Sequence, residues 1–260
     1  MIRLRTLARA VACFGCLAVA VFVPSVAAAA SFTVTPTQVF LTSKTTSVLL
    51  TLRNESPDTI RFQLSAFQWD QSPTGDMVLL PTGDIIFFPK LVALAPHEER
   101  KIRIGTSAAF GPTEKTYRMF VEELPPPGKP DQPTSSVTMR TRMGIPVFAE
   151  PDVARAGSNV TSVTIERSRA IVRVENKGAV HLVIDNVRVI GATGPGVAVF
   201  NKIVNGWYVL AGRSQSYEIP LTAAECEPAV ALTAEVKIGE AVSRQKAERP
   251  ADGCRVAAGH

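Results

Sequence analysis

Val137-Thr-Met-Arg-Thr-Arg-Met-Gly-Ile-Pro-Val147 is the stretch on which the reading of the chain turns. Its odd positions are apolar at Val137, Met139, Met143, Ile145 and Val147, with Thr141 the exception. Its even positions are Thr138, Arg140, Arg142, Gly144 and Pro146. Such alternation sends successive side chains to opposite faces, which predicts a β-strand. One face is a row of apolar side chains and the other carries two arginines. Pro146 has no N–H to give a sheet ladder, so the end of the strand belongs at an edge or a bulge. Two readings fit. One is an ordinary half-buried strand of a sandwich. The other is an edge strand that lends its apolar row to another chain.

Immediately upstream, Pro125-Pro-Pro-Gly-Lys-Pro-Asp-Gln-Pro133 excludes strand and helix interiors and reads as a long loop leading into the strand. Before it, Tyr117, Met119 and Val121 alternate with Arg118, Phe120 and Glu122. Val48, Leu50 and Leu52 alternate likewise, as do Phe62, Leu64 and Ala66. The parity then shifts to Phe67 and Trp69, which predicts a bulge. The apolar run from Ile85 to Leu94 contains Pro89, which predicts an edge strand or one that changes sheets. Turn residues separate these runs at Asn54–Asp58, Ser72–Asp76 and Ala95–Glu99.

Beyond Pro151 the pattern resumes with Val163 and Ile165, Val172 and Val174, Val187 and Val189, Tyr208 and Leu210, Tyr217 and Ile219, and Leu232 to Ile238. Asn176-Lys-Gly178, Gly194-Pro-Gly196, Asn205-Gly206 and Ala211-Gly212 punctuate it. No sustained helical period occurs over residues 31–260. Short strands with such turns predict an all-β chain of two sandwiches, since residues 31–260 exceed the length of one.

The chain opens with Arg3, Arg5 and Arg9, then an apolar run from Ala10 to Val23 and the small residues Ala28-Ala-Ala30. That is the pattern of a secretory signal peptide over residues 1–30, cut after Ala30. Nothing later is long and apolar enough to span a bilayer, so an exported protein not embedded in the membrane is expected. The full sequence has 28 Lys+Arg against 23 Asp+Glu. Without the three signal arginines the balance is 25 to 23, which gives no basis for a nucleic-acid partner. Cys13 and Cys16 would leave with the signal. Cys226 and Cys254 then form an even pair in an oxidising compartment and are expected to be disulfide-bonded, a link worth about 3–4 kcal/mol on the chain-entropy model.

The scattered His97, His181 and His260 offer no metal-ligand spacing, and no Cys-x-x-Cys occurs. No nucleophile motif or Gly-rich phosphate loop is present. The expectation is a protein that is not an enzyme and carries no cofactor or metal.

Several stretches resemble the PapD-like periplasmic pilus chaperones. They are Pro112-Thr-Glu-Lys-Thr-Tyr117-Arg-Met-Phe120-Val-Glu-Glu-Leu-Pro125, Ile145-Pro-Val-Phe-Ala-Glu-Pro151, Trp207-Tyr-Val-Leu-Ala-Gly212 and Val34-Thr-Pro-Thr-Gln38-Val39. The Ser72–Leu80 turn, the Pro-rich loop and the late cysteines are most similar to the archaic Csu or spore-coat-protein-U-like branch. The resemblance implies two immunoglobulin-like sandwich domains, residues 31–149 and 150–260, in an L-shaped arrangement with a cleft between them. It implies residence in the periplasm, with pilin subunits and an outer-membrane usher as partners. A pilin is a sandwich lacking one strand, and the chaperone fills the gap by donor-strand complementation. The donor residues implied here are Val137, Met139, Met143 and Ile145.

The family also holds the pilin's terminal carboxylate with a basic pair in the cleft. Gln38 stands where one of these is expected, and Pro146 falls near the other. Arg142 and Arg140 lie on the non-inserting face and are the candidate substitutes, beside Gln38. Glu150 replaces the family's junction arginine. The rival reading is a structural or adhesive two-domain surface protein. The layout discriminates, because a pilin has one domain and a free N-terminal donor, whereas here the donor-like strand lies mid-chain.

Overall fold

The computed structural model describes residues 31–125, 139–155, 157, 159–194 and 196–255. The signal-peptide segment and Val137 lie outside the described residues. The first sandwich contains β1 (Phe32–Thr35), β2 (Val39–Leu41), β3 (Ser47–Asn54), β4 (Ile60–Gln71), β5 (Met77–Pro81), β6 (Ile85–Phe88), β7 (Leu91–Leu94), β8 (Glu99–Thr106), β9 (Lys115–Leu124) and β10 (Arg142–Ala149). One sheet has the order β1-β3-β8-β6. The other has the order β2-β10-β9-β4-β5, with β7 also paired to β4.

The second sandwich contains β11 (Asn159–Glu166), β12 (Arg169–Glu175), β13 (Leu182–Val183), β14 (Asn186–Thr193), β15 (Val197–Asn205), β16 (Tyr208–Val209), β17 (Ser214–Pro220), a short helix α1 (Ala223–Cys226), β18 (Ala231–Ile238) and β19 (Ala241–Glu248). Its sheets run β11-β12-β17 and β15-β14-β18-β19, with β13-β16 as a separate two-stranded ribbon.

The alternating residues fill two separate cores. Leu50, Leu52, Phe62, Leu64, Ile102, Ile104, Tyr117, Met119 and Val121 are buried in the first. Val163, Ile165, Val172, Val174, Val187, Val189, Ile219 and Val236 are buried in the second. Each such side chain contributes about 1.5–3 kcal/mol of gross burial energy. Cys226 is bonded to Cys254 and ties α1 to the C-terminal end.

Both sandwiches use a buried asparagine where a strand runs into a turn. Asn54 Nδ2 donates to the carbonyls of Asp58, Leu94 and Ala95, while its Oδ1 accepts from Ser56 N–H. Asn176 Nδ2 donates to Val180 and Val209 carbonyls, and its Oδ1 accepts from Gly178 N–H. A turn that leaves a ladder has backbone carbonyls with no strand partner, and the amide group satisfies them.

Two expectations about the strands resolve differently. The apolar run around Pro89 splits there: β6 pairs with β8 in one sheet and β7 with β4 in the other. The bulge expected at Phe67 is absent, because β4 pairs with β9 in unbroken register from Arg61 to Gln68. The parity shift has another cause. Phe62 and Leu64 face the first core, whereas Trp69 is on the opposite face and buried against Phe148 and Leu210. The burial changes faces because the second sandwich covers that end of the strand.

Candidate functional site

The strand that opened the reading begins later than its alternation predicts, at Arg142 rather than Val137. It pairs with β9 over its whole length, but with β2 only at Val147, Phe148 and Ala149. Glu123 N–H donates to Thr141 carbonyl, and Glu150 N–H donates to Leu41 carbonyl. Odd residues therefore spend their backbone groups on β9, and even residues point theirs toward the β2 side. From Arg142 to Pro146 that side has no strand beside it among the described residues. Pro146 belongs to the even set, so its missing N–H costs no ladder bond.

The side chains of β10 sort the same way. Val147 is buried in the first core and Met143 packs against it half-buried. Ile145 is 1% exposed and is a core residue of its own sandwich, which corrects its expected place on an exposed row. The reason is that the row runs inward where β9 and the facing sheet enclose it. Met139 precedes the strand and is 76% exposed. The odd row thus passes from core to solvent as the chain leaves the sandwich.

The even row faces the second sandwich. Phe148 stacks on His181 at 3.8 Å and on Phe40 at 5.4 Å. Arg118 of β9 sits opposite Pro146. Its guanidinium lies 4.9 Å from the Trp69 ring and 5.8 Å from that of Trp207 across the cleft. Its Nε and Nη1 are buried with no hydrogen-bond partner, and the buried Trp69 Nε1 has none either. Arg118 forms no ion pair among the described residues. Burial pulls its pKa below the usual guanidinium value, with the Tyr208 hydroxyl opposing. A cluster of donors and a positive charge with no acceptor is costly, and it is the arrangement an incoming anion relieves.

The three residues expected to hold a carboxylate are engaged or remote. Arg142 lies 3.8 Å over Phe120 and 3.6 Å from a Glu122 carboxylate oxygen. Arg140 is exposed before the strand. Gln38 donates to Tyr208 Oη at 2.6 Å, bridging the sandwiches. Arg118 and Trp207 were in view in the sequence, inside motifs, yet carried no signal of their own. Arg118 could have been found from β9, where Thr116, Arg118 and Phe120 form the row turned away from the core.

The walls of the cleft are tied together. Gln71 Nε2 donates to Tyr208 carbonyl, and Leu210 N–H donates to Gln71 Oε1, both at 2.8 Å. Arg213 grips Asp70 with Nε and Nη2 at 2.6 and 2.8 Å. The Glu114 carboxylate is fully buried, accepts from His181 N–H, and lies 2.9 Å from His181 Nδ1.

The site thus combines a strand with an open edge and a donor-rich cleft beside it. Residues 31–154 match the family model described as pili and flagellar-assembly chaperone, PapD N-terminal domain. The first sandwich is therefore a member of that family. Among solved structures this chain is similar to a chain of the CsuC–CsuE chaperone–tip adhesion subunit complex from archaic Csu pili of Acinetobacter baumannii. That match has 17% identity and a TM-score of 0.60, covering 85% of this chain and 98% of the other. The YadV chaperone matches at 15% identity and TM-score 0.55, covering 84% and 98%. A chain of the Salmonella enterica SafA pilin–SafB chaperone complex matches at 16% and 0.54, covering 83% and 96%. These likenesses show a shared two-domain sandwich fold. No curated protein matches the sequence.

Proposed function

We propose that this chain is a periplasmic chaperone of the chaperone-usher pathway, exported by residues 1–30 and built of domains 31–149 and 150–260. It binds pilin subunits by donor-strand complementation, caps them and delivers them to an outer-membrane usher. The archaic branch is the one its motifs resemble. The observation that carries this is the open backbone edge from Arg142 to Pro146, continuing into the exposed Met139. A pilin strand pairing there gains main-chain hydrogen bonds, and alternate side chains enter the pilin's groove. Val137, Met139 and Met143 supply that row, while Ile145 anchors the strand in the chaperone's own core. The carboxylate anchor moves from Arg142, Arg140 and Gln38 to Arg118, whose Nε and Nη1 have no hydrogen-bond partner.

The test is co-purification of a small β-rich subunit from periplasm with the wild-type chain and with Met139→Asp. A subunit recovered with the first and lost with the second supports the proposal. No co-purifying subunit with either would favour the rival reading of a structural or adhesive surface protein.

A further inference from the structure

We propose that Met139 is an oxidation switch: a hydroperoxide that converts its thioether to the sulfoxide stops client capture, and a bound client shields it. This rests on the reading of the row that contains Met139 and Met143 as the donor segment. Cys226 and Cys254 are already joined in a disulfide, so methionine supplies the oxidisable sulfur among the described residues. Those residues include Met77, Met119, Met139 and Met143. Met139 is 76% exposed and Met77 46%. Met143 is half-buried against the first core, and Met119, opposite Ile145 on β9, is fully buried. A thioether has no proton to lose, so access decides which sulfur reacts. Access ranks Met139 first and Met119 last.

The step is a two-electron oxidation of sulfur. With hydrogen peroxide, a sulfur lone pair bonds to one peroxide oxygen and the O–O bond breaks. The proton of the transferred hydroxyl passes to the other oxygen, which leaves as water. The product carries a strong hydrogen-bond acceptor where the thioether was a weak one. In the free chain water satisfies that acceptor, because Met139 stands in solvent ahead of β10, and the fold is untouched. In the complex the same side chain belongs to the row that enters the client's apolar groove. There the sulfoxide must shed its water and finds no donor in return. The switch is also one-sided. A client seated on the row covers the sulfur, so loaded chains are spared while empty ones are disabled. New capture stops under oxidant, and what is already held stays held. Methionine sulfoxide reductases return the thioether.

The test treats the purified chain with hydrogen peroxide, maps sulfoxides by peptide mass spectrometry and measures capture of the small β-rich subunit that co-purifies from periplasm. The readout is capture after treatment divided by capture before. In the wild type Met139 should be oxidised first and Met119 last, with the melting temperature unchanged and capture reduced about thirtyfold. Methionine sulfoxide reductases should restore it. Met77→Leu should lose capture in the same proportion as the wild type, whereas Met139→Leu should lose none of its own. In the preformed complex Met139 should resist peroxide that still converts Met77. Undiminished capture by the oxidised wild type would overturn the inference, as would a Met139→Leu variant as sensitive as the wild type, or a Met139 equally reactive with client bound. Where Met139→Asp has lost capture, any of these results defeats the switch alone. If no subunit co-purifies, or Met139→Asp captures it normally, the donor-strand reading fails and takes the inference with it.

Discussion

Gly144 lies directly beneath the Arg118 guanidinium: a Cβ at 144 would come 2.9 Å from Arg118 Nε and 3.1 Å from Phe120 Cε1. The absent side chain on β10 makes room for the charge on β9. The displaced atom would be the far end of a flexible side chain, so Gly144→Ala should fold normally and push Arg118 aside. Client capture should fall about tenfold with little change in melting temperature. Gly206→Ala is the contrast, because its neighbour is backbone, and it should lower the melting temperature measurably. If Gly144→Ala binds client like the wild type, Arg118 is not held for that purpose.

Arg118→Met should separate stability from function. The wild-type guanidinium has two buried donors without acceptors, a cost of about 1–3 kcal/mol for each such group. Replacing it with an apolar side chain of similar length removes that cost in the free chain. The melting temperature should stay level or rise, while capture of a client ending in a carboxylate is lost. A large drop in melting temperature would show that Arg118 is structural.

Met139→Asp and Ile145→Asp should behave oppositely in the free chain, although both lie on the same odd row. Met139 is exposed, so its substitution should leave thermal stability unchanged and abolish pilin capture. Ile145 is fully inside the first core, so an aspartate there is desolvated at a cost of several kcal/mol and the domain should unfold. Circular-dichroism melts of the two variants decide this. Equal stability would mean that the row is not divided between core and client.

Acid should loosen the α1 corner of the second sandwich. Thr222 N–H and Lys202 hold the Glu225 carboxylate well below the usual range, at about 2. Because the folded pKa is depressed, the stabilisation is present above about 4.5 and is lost as pH falls toward 2. Melting temperatures from pH 5 to pH 2 should fall more steeply for the wild type than for Glu225→Gln. Parallel curves would show that the carboxylate contributes nothing there.

The sandwiches were legible because a half-buried strand writes its faces into the sequence, as Leu50 and Leu52 or Val172 and Val174 do. Pro89 marked the change of sheets for the same local reason, since its missing N–H breaks a ladder. The second layer of burial was not legible. Trp69 reads as a displaced core residue until the other sandwich is seen covering it. Arg118 reads as an ordinary outward charge until its two nitrogens are found sealed without partners. Both depend on how the two sandwiches meet, and that contact joins residues such as Asp70 and Arg213, which no local pattern connects.

The bracing of the cleft bears on how a bound client can leave. Asp70 with Arg213, Gln71 with Leu210 and Tyr208, and Glu114 with His181 hold the two walls at fixed separation. Departure by parting the walls would require several contacts, among them the buried Glu114–His181 pair, to fail together. Departure by unzipping breaks one backbone pair at a time, beginning where the strand is least enclosed, near Met139, and freeing the carboxylate last. If the proposed function holds, release should then be a directional relay in which an incoming strand displaces this chain step by step. Its rate should depend on the competing strand and not on thermal opening of the cleft. A release rate that rises when the Asp70–Arg213 grip is removed by Arg213→Ala, with no competitor present, would contradict this.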